Sequence, residues 1–320
     1  MNSRFLSTRN GVNNLKILVT GGAGFIGSNV IDSCIELGHE VAIIDNLSTG
    51  KEQNINPKAK FFNADIRDQK IFDLLSEFKP DIINHHAAQI DVRKSVTDPI
   101  FTSEVNEIGT LNLLNAAIKA NVKKVIFAST GGAIYGEISK KEGADENHPQ
   151  LPISPYAITK RSAEMFLHFY YATYGLNYTV LRYGNVYGPR QDPLGEAGVI
   201  AIFIGKLSKA EEPTIYGNGK QLRDYVFVKD VSEANVLALS KGDGKILNVG
   251  SGVGTSVNEL FNHLKNIMGF KGNAKYAPPR AGELDRSVLN PGLIKKELGF
   301  KVRTSIKEGL EKTVLWHKQQ

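Results

Sequence analysis

A chain of 320 residues with 39 Lys and Arg against 33 Asp and Glu carries a formal charge of +6. It is long enough to bury a large core and a smaller lobe without metals or cross-links. Its basic residues are dispersed in short pairs such as Lys123-Lys124 and Lys295-Lys296, which excludes nucleic-acid binding by a basic stripe. The single cysteine, Cys34, falls at an apolar helix position and excludes an internal disulfide framework, and no apolar run reaches the length of a membrane span. The composition therefore predicts a cytoplasmic globule behind a loose polar leader at 1–15.

The first organising stretch is 16–28, KILVTGGAGFIGS. An apolar run suited to a buried strand breaks into Gly21, Gly22 and Gly24, and a helical pattern starts at Phe25. Glycine lets backbone N–H groups come close to a pyrophosphate, and the helix that follows turns the positive end of its dipole to the same place. Gly21, Gly24 and Gly27 are spaced G-x-x-G-x-x-G, with Phe25 and Ile26 on the opening turn of the helix. The next apolar run, 40–44, ends in Asp45 and Asn46, about 20 residues beyond the loop, where an acid can accept hydrogen bonds from an adenosine ribose. A free carboxylate there would repel a ribose phosphate, so the pattern predicts NAD over NADP.

Further on, the pattern predicts a strand at 60–63, a helix over 68–78, a strand at 81–84, a long helical segment over 98–120 and a strand at 123–129. A helix beginning at Ser154 and a strand at 178–182 come next. Alternating strands and helices imply a doubly wound parallel sheet with helices on both faces and ligands beyond its carboxyl edge. The strand ends read GGAG, DNL, NADIRD, HHAAQ, STGG and RYGN. The expected division is a dinucleotide-binding domain over 16–184, to which 225–241 returns, and a smaller substrate lobe over 185–320.

The second organising stretch is SPYAITK, 154–160. Ser154 suits an N-cap and Pro155 the first helical position, so Tyr156 and Lys160 lie one turn apart on one face. A tyrosine ionises near pH ~10, and a nearby ammonium lowers that by roughly one to three units, toward the range of a general base. The preceding strand supplies a hydroxyl from either Ser129 or Thr130. Counting along the strand favours Thr130.

The residues TGGAGFIGS, DNLSTG, DIRD, HHAAQIDVRKS, NEIGT, STGGAIYGE, SPYAITK, LRYGNVYGPRQDP, GVIAIFI, YGNGKQLRDYVFVKDV, LNVGSG and PRAGE resemble the extended short-chain dehydrogenase/reductase family. Within it they are most similar to the nucleotide-sugar epimerases that invert C4 of UDP-hexoses. The resemblance runs from 16 to the C-terminal helix and implies a tightly held NAD, a UDP-sugar substrate and a homodimer built on the helices holding Asn106 and Tyr156. It makes Thr130, Tyr156 and Lys160 the catalytic set and assigns no metal. Lys160 would also bond the nicotinamide ribose; Asp65 and Ile66 would border the adenine, and Ala87 and Ala88 the cofactor channel. Asn106 matches an asparagine that supports the active-site helix, a position where a plain core hydrogen-bonding role is the alternative. On the substrate side the resemblance implies contacts from Ser129 and Asn185, a diphosphate clamp from Arg223 and Arg280, and a ribose contact from Glu283. Ser287, with Arg286 or Val288 as alternatives, falls where a bulky tyrosine confines related enzymes to UDP-glucose and UDP-galactose. A serine there implies room for an N-acetyl group and a hydroxyl to bond it.

The implied mechanism is reversible oxidation at sugar C4, with Tyr156 as phenolate removing the hydroxyl proton directly or through Thr130. Two departures from the family pattern stand out. STGGAIYG has one residue more between its hydroxyl pair and Tyr135 than the common motif, and Ile90 stands where some epimerases carry a lysine near the cofactor. A sugar 4,6-dehydratase would need an Asp-Glu pair after the threonine, and a glucuronate decarboxylase an acid beside the hydroxyl motif; Gly131 and Gly132 stand there instead. A non-catalytic NAD-binding regulator would have no use for Tyr156, Lys160 and both arginines.

Overall fold

The computed structural model describes residues 14–193, 198–280 and 282–320. Residues 1–13, most of the expected leader, lie outside the described residues, as does Ala281 of the PRAGE stretch. The first part of the chain runs β1 (Lys16–Thr20), α1 (Phe25–Glu36), β2 (Glu40–Asp45), β3 (Lys60–Asn63), α2 (Ile71–Phe78), β4 (Ile82–His85), α3 (Val92–Thr97), α4 (Pro99–Ser103) and α5 (Gly109–Lys119). It continues through β5 (Lys124–Thr130), α6 (Gly131–Ile134), α7 (Pro155–Tyr174) and β6 (Asn177–Tyr183). Then come β7 (Asn185–Tyr187), α8 (Val199–Ser208), β8 (Thr214–Tyr216), β9 (Leu222–Phe227), α9 (Val228–Ala238) and β10 (Lys245–Val249). The chain ends with β11 (Gly254–Ser256), α10 (Val257–Met268), β12 (Lys275–Ala277), β13 (Arg286–Ser287), α11 (Gly292–Leu298) and α12 (Ile306–His317).

The main sheet has seven strands in the order β10-β6-β5-β4-β1-β2-β3, and its pairings are all parallel. Its strands are apolar on both faces, as a sheet covered by helices on both sides requires. In β1, Ile17 and Val19 join Val30, Ile31, Val231 and Ala234 in one core layer. Leu18 faces the other way, toward Leu75, Leu113, Leu114 and Leu167. The return to this sheet extends past the expected 225–241: α9 packs on α1 and β10 forms an edge strand. β10 is only five residues long and one face of it is half polar, which hides it from a pattern search.

A second sheet places β9 between β11 and β13, with β7 also pairing β9. Its hydrophobic layer gathers Phe203, Ile204, Phe261, Leu264 and Leu310 from α8, α10 and α12. The chain passes between the two sheets and their helix layers five times, at β6 to β7, β9 to α9, β10 to β11, β13 to α11 and α11 to α12. Asp224 of β9 ties two of these crossings together, β10 to β11 and β13 to α11: its carboxylate, 1 % exposed, accepts from Ser251 N and Oγ, Gly252 N and Leu289 N.

The helix that carries the tyrosine is built as its sequence demands. Ser154 accepts from Ala157 N, Pro155 is the first helical residue, and Gly175 closes the helix in the left-handed conformation at φ 72°. The expected long helix over 98–120 is interrupted. A π-helical turn at Glu104–Ile108 separates α4 from α5 and turns Asn106 inward.

The glycine loop is set by close approach. Gly21 has φ +68°, and a Cβ on it would lie 2.6 Å from Ala87 N. A Cβ on Gly27 would lie 2.4 Å from the Gly21 carbonyl oxygen, which presses the first turn of α1 against the loop. Gly27→Ala is accordingly expected to destabilise the fold by about 1–3 kcal/mol. The check is urea unfolding of the variant beside the parent, and an unchanged midpoint would contradict this packing.

Candidate active site

Strands β1, β2, β4, β5 and β6 deliver the candidate site residues to one edge of the main sheet. On the cofactor side, Gly24 is the N-cap of α1 and no side chain accepts from the helix's first turn. The opening amides at Phe25, Ile26 and Gly27 are thus arranged for an anion. Asp45 stands beside this loop, 8 % exposed, and accepts from Ala23 N at 3.0 Å and Leu47 N at 2.8 Å. Burial pushes its carboxyl up, against the downward pull of those two N–H groups. Asn46 donates to Asp65 at 2.8 Å, and Arg67 grips Asp65 with two bonds of 2.9 Å. That guanidinium holds the Asp65 carboxyl down at about 2. Ala87 N donates to Thr20 Oγ1, so the HHAAQ segment lies against the glycine loop with Ala88 half-buried beside it. A cradle that any Cβ at Gly21 would fill, an uncapped helix start and a buried acid at the next strand end together fit NAD.

Ile66 lies next to Asp65 with its side chain turned inward. Its side chain is 4 % exposed and faces Gly109, where a Cβ would lie 2.7 Å from Ile66 Cδ1. Only its backbone is left to border a cofactor, because the segment after β3 turns its apolar side chain into the α5 layer.

The catalytic candidates converge. The Thr130 side chain faces the Tyr156 phenol and opposes the rise of its pKa, and Lys160, 4 % exposed, donates to the Ala128 carbonyl at 2.9 Å above the ring of Phe127. The electrostatics differ from the expectation that the lysine lowers the tyrosine. Burial pushes Tyr156 up to about 12, with only the Thr130 side chain opposing it. Burial likewise pulls Lys160 down to about 7, with Glu164 opposing. Desolvation disfavours the charged form of both groups and dominates in the chain alone.

Ser129, the other hydroxyl considered, points away from Tyr156: it is 4 % exposed and donates to Glu164 Oε1 at 2.6 Å. Glu164 also receives the fully buried Arg182 through Nε at 2.9 Å and Nη2 at 2.6 Å. Arg182 Nη1 reaches Tyr135 Oη at 2.8 Å, and Tyr135 in turn donates to Asn248. Burial would pull the Arg182 guanidinium down, but its bonds to Glu164 hold it above its ordinary range. Breaking such a buried pair by removing one partner costs roughly 3–5 kcal/mol. The extra residue of STGGAIYG falls within the short helix α6, which joins Thr130 to Tyr135.

Asn106 supports the site from the other side. It accepts from Gln89 N at 2.7 Å and donates to the Gln89 carbonyl and to Thr159 Oγ1, each at 3.0 Å. It therefore ties the end of the HHAAQ segment to the residue next to Lys160.

The second sheet supplies the facing wall. A Cβ on Gly132 would lie 3.8 Å from Asn185 Nδ2 and 4.0 Å from Thr130 Oγ1, so Asn185 and the catalytic hydroxyl flank Gly132. Arg223 lies 3.8 Å from Glu283, and Gln221 donates to the same carboxylate at 3.3 Å. The Arg280 guanidinium stacks 3.9 Å above the Tyr216 ring. These five residues form one cluster from β8, β9 and the loop before β13. Ser287 is 2 % exposed and its hydroxyl donates to the Gly132 carbonyl at 3.3 Å. Its hydroxyl is thus already engaged within the protein. Glu164, Arg182, Gln221 and Tyr216 carry no signal of their own in the sequence, except that continuing the four-residue spacing from Tyr156 and Lys160 reaches Glu164.

A seven-stranded parallel sheet with a glycine loop at β1 and a Thr-Tyr-Lys set at β5 and α7 defines an enzyme of the extended short-chain dehydrogenase/reductase class. The chain belongs to the NAD dependent epimerase/dehydratase family, whose model matches residues 17–250. It is 49 % identical over 304 residues to a protein of Methanocaldococcus jannaschii described as a putative UDP-glucose 4-epimerase, covering 94 % of this chain and 98 % of that one. It superposes with a TM-score of 0.94 on the UDP-glucose 4-epimerase of Thermotoga maritima solved with UDP-glucose, at 49 % identity over 95 % of this chain and 99 % of that one. The UDP-N-acetylglucosamine 4-epimerase of Methanobrevibacter ruminantium, solved with UDP-N-acetylmuramic acid, gives a TM-score of 0.91 at 35 % identity, covering 97 % of this chain and all of that one. Among the described residues, no helix is long and apolar enough to cross a membrane.

The ionisation of Tyr156 offers a direct measurement. In cofactor-stripped protein, the ultraviolet difference titration between parent and Tyr156→Phe is expected to show no ionisation of this tyrosine below about pH 11, given its pKa of about 12. Reloading NAD should move the midpoint down. A midpoint near 10 in the stripped protein would refute the burial argument.

Proposed function

We propose that the chain is an NAD-dependent UDP-hexose 4-epimerase, and the observation that carries this is the link from the Thr130–Tyr156–Lys160 set to the arginine cluster: Gly132, two residues past Thr130, accepts from Ser287, which pairs with Arg223 in the second sheet. Bound NAD supplies a reversible hydride acceptor for C4 and a positive charge close to Tyr156. The glycine loop holds its pyrophosphate, Asp45 its adenosine ribose and Lys160 its nicotinamide ribose. Tyr156 takes the 4-hydroxyl proton, directly or through Thr130, and returns it after the keto sugar has turned over. Two guanidinium forks hold the diphosphate, so affinity resides in the UDP while the sugar stays free to rotate. Glycines at 131 and 132 leave the catalytic threonine without the acidic neighbours that dehydration or decarboxylation would require.

The same arrangement favours a wide sugar pocket. Ser287 is small and sits behind Gly132, beside the catalytic threonine, and one structural neighbour acts on an N-acetylated sugar. Purified protein without added NAD is expected to interconvert UDP-glucose with UDP-galactose and UDP-N-acetylglucosamine with UDP-N-acetylgalactosamine, as monitored by NMR. Ser287→Tyr should suppress the second pair selectively. A parent protein inactive on all four sugars overturns the proposal, and parallel loss of both activities in the variant overturns the gate.

The chain acts as a homodimer in this reading. Ile100, Ile108, Ile158, Met165 and Phe169 are 49–73 % exposed on α4, the π turn and α7, an apolar stripe of the kind that a second copy covers. Sedimentation velocity should give a dimer for the parent and a monomer for Met165→Glu combined with Phe169→Glu. A parent that sediments as a monomer refutes the assembly.

A further inference from the structure

Three consecutive residues of β5 hold three residues of α7 that are spaced four apart. The Ala128 carbonyl accepts from Lys160, the Ser129 hydroxyl donates to Glu164, and the Thr130 side chain faces Tyr156. Four-residue spacing puts Tyr156, Lys160 and Glu164 on one helix face, so the strand end and the helix are joined like a short ladder. The glutamate rung is the most heavily tied. Its side chain is fully buried, and its two oxygens receive Ser129, both nitrogens of the Arg182 fork and Arg161 at 3.2 Å. Arg182 is also the β6 residue directly opposite Ser129 in the sheet register. A single carboxylate therefore fixes both strands to the helix at the level of Ser129.

The position of that rung matters because of the residues next to it. Thr130 is the last residue of β5, and the chain continues through Gly131 and Gly132, the residues least able to hold a neighbour in place by themselves. The approach of Thr130 to Tyr156 therefore takes its geometry from the residue before it. We propose that Glu164 is a positioning residue for the reaction, acting through Ser129 to hold Thr130 against Tyr156. This rests on the epimerase reading for its kinetic consequences but not for its structural one.

The test uses NAD-loaded protein and the variants Ser129→Ala, Glu164→Gln, Thr130→Ala and Ser129→Ala/Thr130→Ala. Ser129→Ala is expected to lower kcat roughly 10- to 100-fold, as a misplacement of reacting groups does, with KM and bound NAD unchanged. Because Ser129 acts through Thr130, the double variant should be no slower than Thr130→Ala alone. Glu164→Gln leaves Arg182 buried without its charge partner and can fail to fold, so the serine variant decides the matter. A second readout needs no substrate. The Thr130 side chain lowers the Tyr156 pKa, so the ultraviolet titration midpoint of Tyr156 should rise in Ser129→Ala. Additive losses in the double variant, or an unchanged kcat and midpoint in Ser129→Ala, would overturn the proposal. A parent that turns over no UDP-hexose while the midpoint still rises would sink the epimerase reading and leave the clamp standing.

Discussion

Seven strands that all run the same way must all end at the same edge, and this constraint produces the site. Parallel neighbours need a crossover between them, the crossovers place helices on both faces, and each strand then releases its chain at the carboxyl edge. The glycine loop, Asp45, the HHAAQ segment, Thr130 and Asn185 all lie at strand ends. They are far apart in sequence and become neighbours because β1, β2, β4, β5 and β6 lie within one sheet. The contact of Gly21 with Ala87 shows how tight this convergence is, since not even a methyl group fits between the first loop and the end of β4.

The second constraint is electrostatic. The region behind the catalytic face contains Glu164, Arg182, Tyr135 and Asn248, all buried and all hydrogen-bonded in one chain of contacts. Buried polar groups of this kind are tolerable only when each finds a partner, and a complete network fixes one arrangement. Lys160 and Tyr156 lie at the margin of this network with fewer partners, and burial pushes both toward their neutral forms. A neutral, poorly solvated acid–base pair responds strongly to any nearby charge, which is the property a proton-handling site needs.

Much of the site is legible in the chain. The glycine spacing, the acid after β2 and the Ser154–Lys160 stretch are local signals, and their physical basis is contained within a turn or two of backbone. The features that escape a sequence reading depend on long-range pairing. Ser129 and Thr130 are adjacent hydroxyls, and only the helix opposite decides that one meets Glu164 and the other Tyr156. The depth of Ser287 is set by pairing of a two-residue strand with β9, too short to leave a periodic pattern. Ile66 belongs to the core because α5 brings Gly109 against it, about forty residues later in the chain. The second sheet is invisible for the same reason, being assembled from segments of two to six residues whose partners are remote.

The repeated passage of the chain between the two sheets has a mechanical meaning. A lobe joined to its neighbour by one linker can swing like a door, since a few backbone torsions absorb the movement. Here, five connections cross the boundary, and Asp224 binds backbone from two of the segments beside it. Any rigid-body rotation would have to shear all of these at once. The compliance the sugar needs in order to present its opposite face therefore cannot come from opening and closing of lobes. It is left to the ligand's own bonds, between walls that the chain itself stitches together.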